Sequence, residues 1–293
     1  MVEKFVRAGD VCKKGRVKAR ELAKPGVKFL DLAEELEKFL KEQDAGCALA
    51  FPVNLGANNN AAHYTPTADD TTVVGEGDVL KIDFGMHCDG FIVDNSITVD
   101  FGGGHGKLLE AADQALQEAL SAVRPGVDSK EVGRVIEEAI AKRGFRPIEN
   151  LCGHAISHFD LHAGVEIPNV ARNGGHIFEE GEVFAIEPFA TDGDGRVRED
   201  GTHTEIYSLV QAKPVRLQAS RQLLSIIASD YATLPFAKRW LQEFPSLNLA
   251  LNDLTKQGML HSYSLLRERQ GALVSQAETT VIVEADGVKV LVE

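Results

Sequence analysis

The chain has 293 residues, 44% hydrophobic and 26% charged, with a formal net charge of −13. That length accommodates one large or two ordinary domains. The charge excludes bulk electrostatic binding to nucleic acid or anionic lipid, and no apolar run reaches the 18 or more residues of a membrane span.

In chain order, the start MVEKFVRAGD is not an apolar signal segment, so the cytoplasm is the expected compartment. KPGVKFLDLAEELEKFLKE (24–42) places Pro and Gly before an amphipathic helix, with Val27, Leu30, Ala33, Leu36 and Leu40 on one stripe. GEGDVLKIDFG (75–85) and FIVDNSITVDF (91–101) read as two strands joined by a tight turn. Each carries an aspartate, Asp83 and Asp94, where β-branched and aromatic residues dominate. If His87–Gly90 forms a four-residue loop, the two face each other with Cβ atoms only about 5 Å apart, and like charges so placed repel. A two-residue Asp89–Gly90 turn would instead set Asp94 opposite Gly85. Both registers are open at this level.

RPGVDSKEVGRVIEEAIAK (124–142) echoes the first helical stretch, with a stripe of Val127, Val132, Val135, Ile136 and Ile140. LCGHAISHFDLHAG (151–164) holds His154, His158 and His162 at helical spacing, but the flanking glycines and the lack of an H-E-x-x-H pattern favour strand or loop. His158, beside Phe159, reads as structural. His87, His105, His176, His203 and His261 read as surface or loop residues. EEGEVFAIEPF (179–189) repeats the 75–85 stretch and aligns Glu187 with Asp83. Two further helices are expected within 220–244, with a stripe of Leu223, Ile227 and Tyr231, and within 246–260. Near the C-terminus ETTVIV (278–283) echoes DNSITV (94–99) and aligns Glu278 with Asp94.

Each half therefore reads as helices followed by strands, at an offset too long for a solenoid. The expected fold is α+β: two related halves about a pseudo-twofold, with a curved antiparallel sheet covered by helices. Residues 194–257 form a helical insertion in the second half. Cys12, Cys47, Cys88 and Cys152 are too widely spaced for a zinc knuckle and read as reduced, buried thiols.

Four strand carboxylates at matched repeat positions, flanked by apolar residues and without a matching set of Lys or Arg, call for a divalent metal cluster. It would neutralise the repulsion that the hairpin otherwise carries.

AAHYTP, VLKIDFGMHCDGFIVDNSITVDF, LCGHAISHFDLHAG, VFAIEPFAT, LPFAKRWL and QAETTVIV, in this order, resemble the type 2 methionine aminopeptidases in their short archaeal form. The resemblance implies the "pita-bread" fold with a catalytic domain of 1–193 plus 258–293 and an inserted subdomain of 194–257. It implies two divalent ions (Co, Mn, Fe or Zn) held by Asp83, Asp94, His154, Glu187 and Glu278. The ions would lie roughly 3.5 Å apart and share a hydroxide that attacks the first peptide bond. Glu187 would also shuttle the proton, and His63 and His162 would bind the scissile amide and the developing oxyanion. His63 matches the residue alkylated by fumagillin-type epoxides. The implied activity is removal of the N-terminal methionine of nascent polypeptides whose second residue is small, by a cytoplasmic monomer, with ribosome contact open.

Three positions depart from the family pattern, Asn95, Ala277 and Thr279, and are expected to touch the pocket wall and the surroundings of the ligands. Two rivals share the fold: Xaa-Pro peptidases, which carry an extra N-terminal domain, and non-catalytic relatives, which lack metal ligands. Lys238, Arg239 and Lys256 of the insertion are too few for a nucleic-acid surface.

Overall fold

The computed structural model describes residues 1–293. The first half opens with helices α1 (Val2–Leu22) and α2 (Phe29–Gln43). Five strands follow: β1 (Ala48–Leu49), β2 (Asn54–Ala57), β3 (Asn60–Ala62), β4 (Val79–Cys88) and β5 (Phe91–Asp100). The second half repeats the plan with α3 (Gly106–Ala122) and α4 (Ser129–Ala141). Then come β6 (Arg146–Pro147), β7 (Cys152–Ala155), β8 (Glu166–Pro168), β9 (Val183–Ile186), β10 (Phe189–Thr191) and β11 (Arg198–Asp200). Next are β12 (Ile206–Leu209), α5 (Gln218–Asp230), β13 (Phe236–Ala237), a 3₁₀ turn at Lys238–Leu241, and α6 (Leu247–Lys256). The chain finishes with β14 (Leu260–Tyr263), β15 (Leu265–Arg267), β16 (Val274–Gln276), β17 (Glu278–Glu284) and β18 (Gly287–Val290).

The main sheet runs β1-β4-β5-β17-β9-β7-β8, with β2 also on β4 and β18 on β17, and every pairing is antiparallel. The β4–β5 pair of one half thus lies beside the β17–β9 pair of the other, which places the pseudo-twofold between β5 and β17. The period-two alternation of β4 explains the layering. Ile82, Phe84 and Met86 are fully buried in the apolar cluster shared with α1 and α2, whereas Asp83 points to the other face. A second cluster lies under α3 and α4, where Val132, Ile136 and Ile140 are buried as their stripe requires.

The hairpin register settles the question raised by Asp83 and Asp94. Asp89 (φ 50°) and Gly90 (φ 79°) make the two-residue turn, since both backbones adopt the positive φ of a type I′ hairpin. Cys88 pairs with Phe91, Gly85 with Asp94, and Asp83 with Ser96. Of the two registers the residues allow, the two-residue turn forms, and the aspartates make a diagonal pair on one face. Gly85 is needed opposite Asp94, because a Cβ there would sit 2.4 Å from the ring of Phe51.

Two expectations are corrected. Cys47 and Cys88 form a disulfide rather than reduced thiols, because the pairing of Ala48 with His87 carries their Cα atoms to 4.2 Å. Cys12 is a buried thiol, but Cys152 is only partly buried. Within 194–257 the two helices form, with Leu223 and Ile227 fully buried. They pack with the three-stranded sheet β13-β12-β14 into a separate apolar cluster, so strands also contribute to this unit.

Candidate metal centre

Five adjacent strands, β4, β5, β17, β9 and β7, bring one row of side chains together. Ser96 on β5 pairs with Asp83 on one side and with Glu278 on the other. Asp94, two residues before Ser96, lies diagonal to both. The β17–β9 register, Thr279 opposite Ile186, leads directly to Glu187 beside Glu278. His154 on β7 stands opposite Ala185, two residues before Glu187.

The side chains converge. Ligand atoms of Asp94, His154 and Glu278 lie within 4.8 Å of one another. His154 Nε2 is 3.5 Å from Asp94 Oδ2 and 3.7 Å from Glu187 Oε1. Asp83 and Glu187 complete the floor of the same cavity of about 410 Å³. Asp94 is further fixed through its backbone: its N–H donates to Thr280 Oγ1 at 2.7 Å, and that hydroxyl donates to Asp94 O at 2.8 Å.

The electrostatics are unbalanced without a cation. Burial, then repulsion from Asp94, drives the carboxyl of Asp83 well above its usual range. Burial, then Asp94 and Asp83, does the same to Glu187. Burial, then Asp94, Glu187 and Asp83, does so to Glu278, against a minor opposing pull from Arg16. Asp83 Oδ1 and Asp94 Oδ1 are buried and have no hydrogen-bond partner. Orphaned acceptors among clustered acids are costly in protein but suit a divalent ion, so the donor set of four carboxylates and one imidazole fits metal binding.

His63 and His162 line the same cavity. His63 follows β3 with φ 66°, a left-handed backbone that histidine tolerates better than most residues. Its Nδ1 lies 3.2 Å from Ser264 O. A carbonyl only accepts, so Nδ1 carries the proton and Nε2 keeps its lone pair. Burial lowers the His63 pKa to about 4. The pKa of His162 is also lowered, by burial and then by His154, whose ring centre is 4.5 Å away. His158 turns away from both: it is exposed, with Nε2 2.7 Å from Asp89 O and its ring beside Phe91.

Sequence reasoning missed several neighbours. Tyr263 stands between His63 and His162, at 5.4 and 6.1 Å between ring centres. Phe51, Leu161, Ile206 and Pro235 supply apolar wall, and Cys152 also lines the cavity. Gln276 bonds Glu187 and Glu278, and its period-two spacing from Glu278 was the one available signal. His203, expected as surface or loop, stacks on Tyr64 at 4.4 Å and lies 2.9 Å from Thr65 O, bracing the segment after His63.

The three departures do not wall the cavity. Asn95 Nδ2 donates to Phe84 O, Thr279 Oγ1 donates to Val292 O, and Ala277 is buried in the second apolar cluster. Asn95 and Thr279 directly follow the cavity-lining Asp94 and Glu278, so strand alternation turns them to the opposite face.

Residues 3–212 match the sequence profile of metallopeptidase family M24, and the chain belongs to that family. It is therefore a metallo-hydrolase by class, using divalent metal. Among its relatives, the methionine aminopeptidase of Pyrococcus horikoshii is 51% identical over 296 residues, covering 100% of this chain and 99% of that one. Two solved structures share the fold. One is a thermophilic Arx1, with TM-score 0.88, 18% identity and coverage of 99% of this chain and 90% of the other. The second is the methionine aminopeptidase of Thermotoga maritima, with TM-score 0.72, 19% identity and coverage of 100% and 96%.

Proposed function

We propose that this chain is a methionine aminopeptidase that removes the N-terminal methionine of polypeptides whose second residue is small. The observation that carries this reading is the meeting of Asp83, Asp94, His154, Glu187 and Glu278 in one cavity rimmed by two neutral histidines. Asp83, Asp94, His154, Glu187 and Glu278 would hold two divalent ions, of Co, Mn, Fe or Zn. When bound, the ions supply a nucleophile at neutral pH and polarise the scissile carbonyl.

The remaining steps belong to the chain. Phe51, Leu161, Ile206 and Pro235 take the methionine side chain. Glu187 accepts the proton of the attacking water and returns it to the leaving amine. His63, protonated at Nδ1, accepts at Nε2 from the scissile N–H. His162 donates to the oxygen on which charge develops.

The catalytic body in this reading is 1–193 plus 258–293. The inserted 194–257 contributes Ile206 and Pro235 to the pocket. The natural substrates are the N-termini of newly made proteins. Turnover of Met-Ala-Ser, Met-Lys and Ala-Pro peptides by the metal-loaded chain tests the proposal. Rapid cleavage of Met-Ala-Ser alone is expected, whereas comparable cleavage of Met-Lys or preferred cleavage of Ala-Pro would overturn it.

A further inference from the structure

We propose that Gln276 is a positioning residue of the metal centre, whose side-chain amide sorts the oxygens of Glu187 and Glu278 between protein and metal. The inference rests on the metal-centre reading above.

Gln276 ends β16 and is 2% exposed. Its Nε2 donates to Glu187 Oε2 at 3.2 Å and to Glu278 Oε2 at 3.3 Å. Its Oε1 accepts from Ser96 Oγ at 3.1 Å. The direction of the amide follows from chemistry. Ionised carboxylates only accept, whereas a hydroxyl can donate, so the NH₂ faces the glutamates and the carbonyl faces Ser96. One N–H thus serves each glutamate.

The consequence is a division of labour within each carboxylate. In Glu187, Oε2 is pinned by Gln276, while Oε1 is the oxygen that approaches His154 Nε2, at 3.7 Å. Pinning one oxygen fixes the rotation of the whole carboxylate and turns the other toward the remaining ligands. Glu278 is held through Oε2 in the same way. Two flexible side chains, one just past β9 and one on β17, are thereby oriented by one amide. Groups that hydrogen-bond metal ligands commonly set their orientation and affinity.

A purely architectural role is separable, because different atoms carry it. The backbone of Gln276 is tied to β5 by Thr98: the Gln276 N–H donates to Thr98 Oγ1 at 3.1 Å, and that hydroxyl donates to Gln276 O at 2.7 Å.

The test is calorimetric titration of metal-free full-length protein with Mn²⁺, alongside its melting temperature. Gln276→Leu, which lacks both donors, should weaken Mn²⁺ binding roughly 10- to 100-fold. Ser96→Ala, which keeps the amide but frees it to turn, should weaken binding in the same direction and by less. Thr98→Val should lower the melting temperature and leave Mn²⁺ affinity unchanged. Unaltered affinity in both Gln276→Leu and Ser96→Ala overturns the proposal. So does a Gln276→Leu protein that only melts lower, as Thr98→Val should. If Gln276→Leu does not fold, Ser96→Ala decides alone: weakened binding supports the assignment and unchanged binding overturns it. Absence of Mn²⁺ binding by the unsubstituted chain overturns the metal-centre reading and this inference with it. Normal binding there with unaffected variants removes this inference only.

Discussion

At the scale of single residues, the proposed mechanism uses His63 and His162 as neutral imidazoles, so their replacement should separate catalysis from metal loading. In His63→Ala or His162→Ala the ions should remain, as checked by elemental analysis. Turnover should fall mainly in kcat, by roughly a hundredfold or more for a lost transition-state contact. Stoichiometric metal loss from His162→Ala would make His162 a ligand and reassign the substrate position. His63 also gives a pH signature. Its pKa is about 4 in the folded protein, against an unfolded value of about 6.5. Between those values the unfolded chain binds the extra proton, so the protein loses stability as pH falls through this window. His63→Gln lacks that proton. Its melting temperature relative to the unsubstituted protein should therefore rise between pH 7 and pH 4.5, and a constant difference would refute the buried neutral state.

At the scale of elements, a buried ion pair clamps the 3₁₀ turn at Lys238–Leu241 to the first half. Arg239 pairs with Glu37 of α2, and both are nearly fully buried. Arg239 also donates to Thr65 Oγ1, and Trp240 Nε1 donates to Glu37 Oε2 at 2.9 Å. Thr65 lies two residues after His63, so the clamp braces the segment that carries a proposed substrate-binding group. It also removes Arg239 from any surface role, and Lys238 lies 3.3 Å from Glu205. Arg239→Met leaves a buried carboxylate uncompensated and should cost about 3–5 kcal/mol in urea unfolding. Glu37→Met combined with Arg239→Met should recover much of that loss. Additive losses in the double variant would show that the two side chains do not act as a pair.

At the scale of the whole molecule, the Cys47–Cys88 disulfide links the segment after α2 to the tip of the hairpin bearing Asp83 and Asp94. It spans 41 residues, for which restriction of the unfolded chain gives about 4 kcal/mol. Unfolding with and without a phosphine reductant should show a drop of about 2–4 kcal/mol. An unchanged midpoint after verified reduction would mean that sheet and helices hold the hairpin without the link. No helix of the protein is long and apolar enough to cross a membrane. The elements α5, α6 and β13-β12-β14 share an apolar cluster apart from those of the two halves, while Ile206 and Pro235 line the cavity.

Much of the design was legible in the residues. Local periodicity exposed α2 and α4 but not α1 and α3, and the repeat exposed the duplicated halves, because these signals are carried by short-range pattern. Asp83 and Asp94 stood out because acids in strand interiors break that pattern, and the repeat then marked Glu187, just past β9, and Glu278, at the start of β17. Contacts between distant strands were not legible. The choice of a diagonal over a direct Asp83–Asp94 pair came from the turn at Asp89–Gly90, for which the residues allowed two registers. The Cys47–Cys88 link required the β1–β4 pairing. The roles of Gln276, Tyr263 and Arg239 depend on partners up to 202 residues away, as in the Glu37–Arg239 pair. A sequence displays which groups are unusual for their local structure, whereas only tertiary packing decides which of them meet.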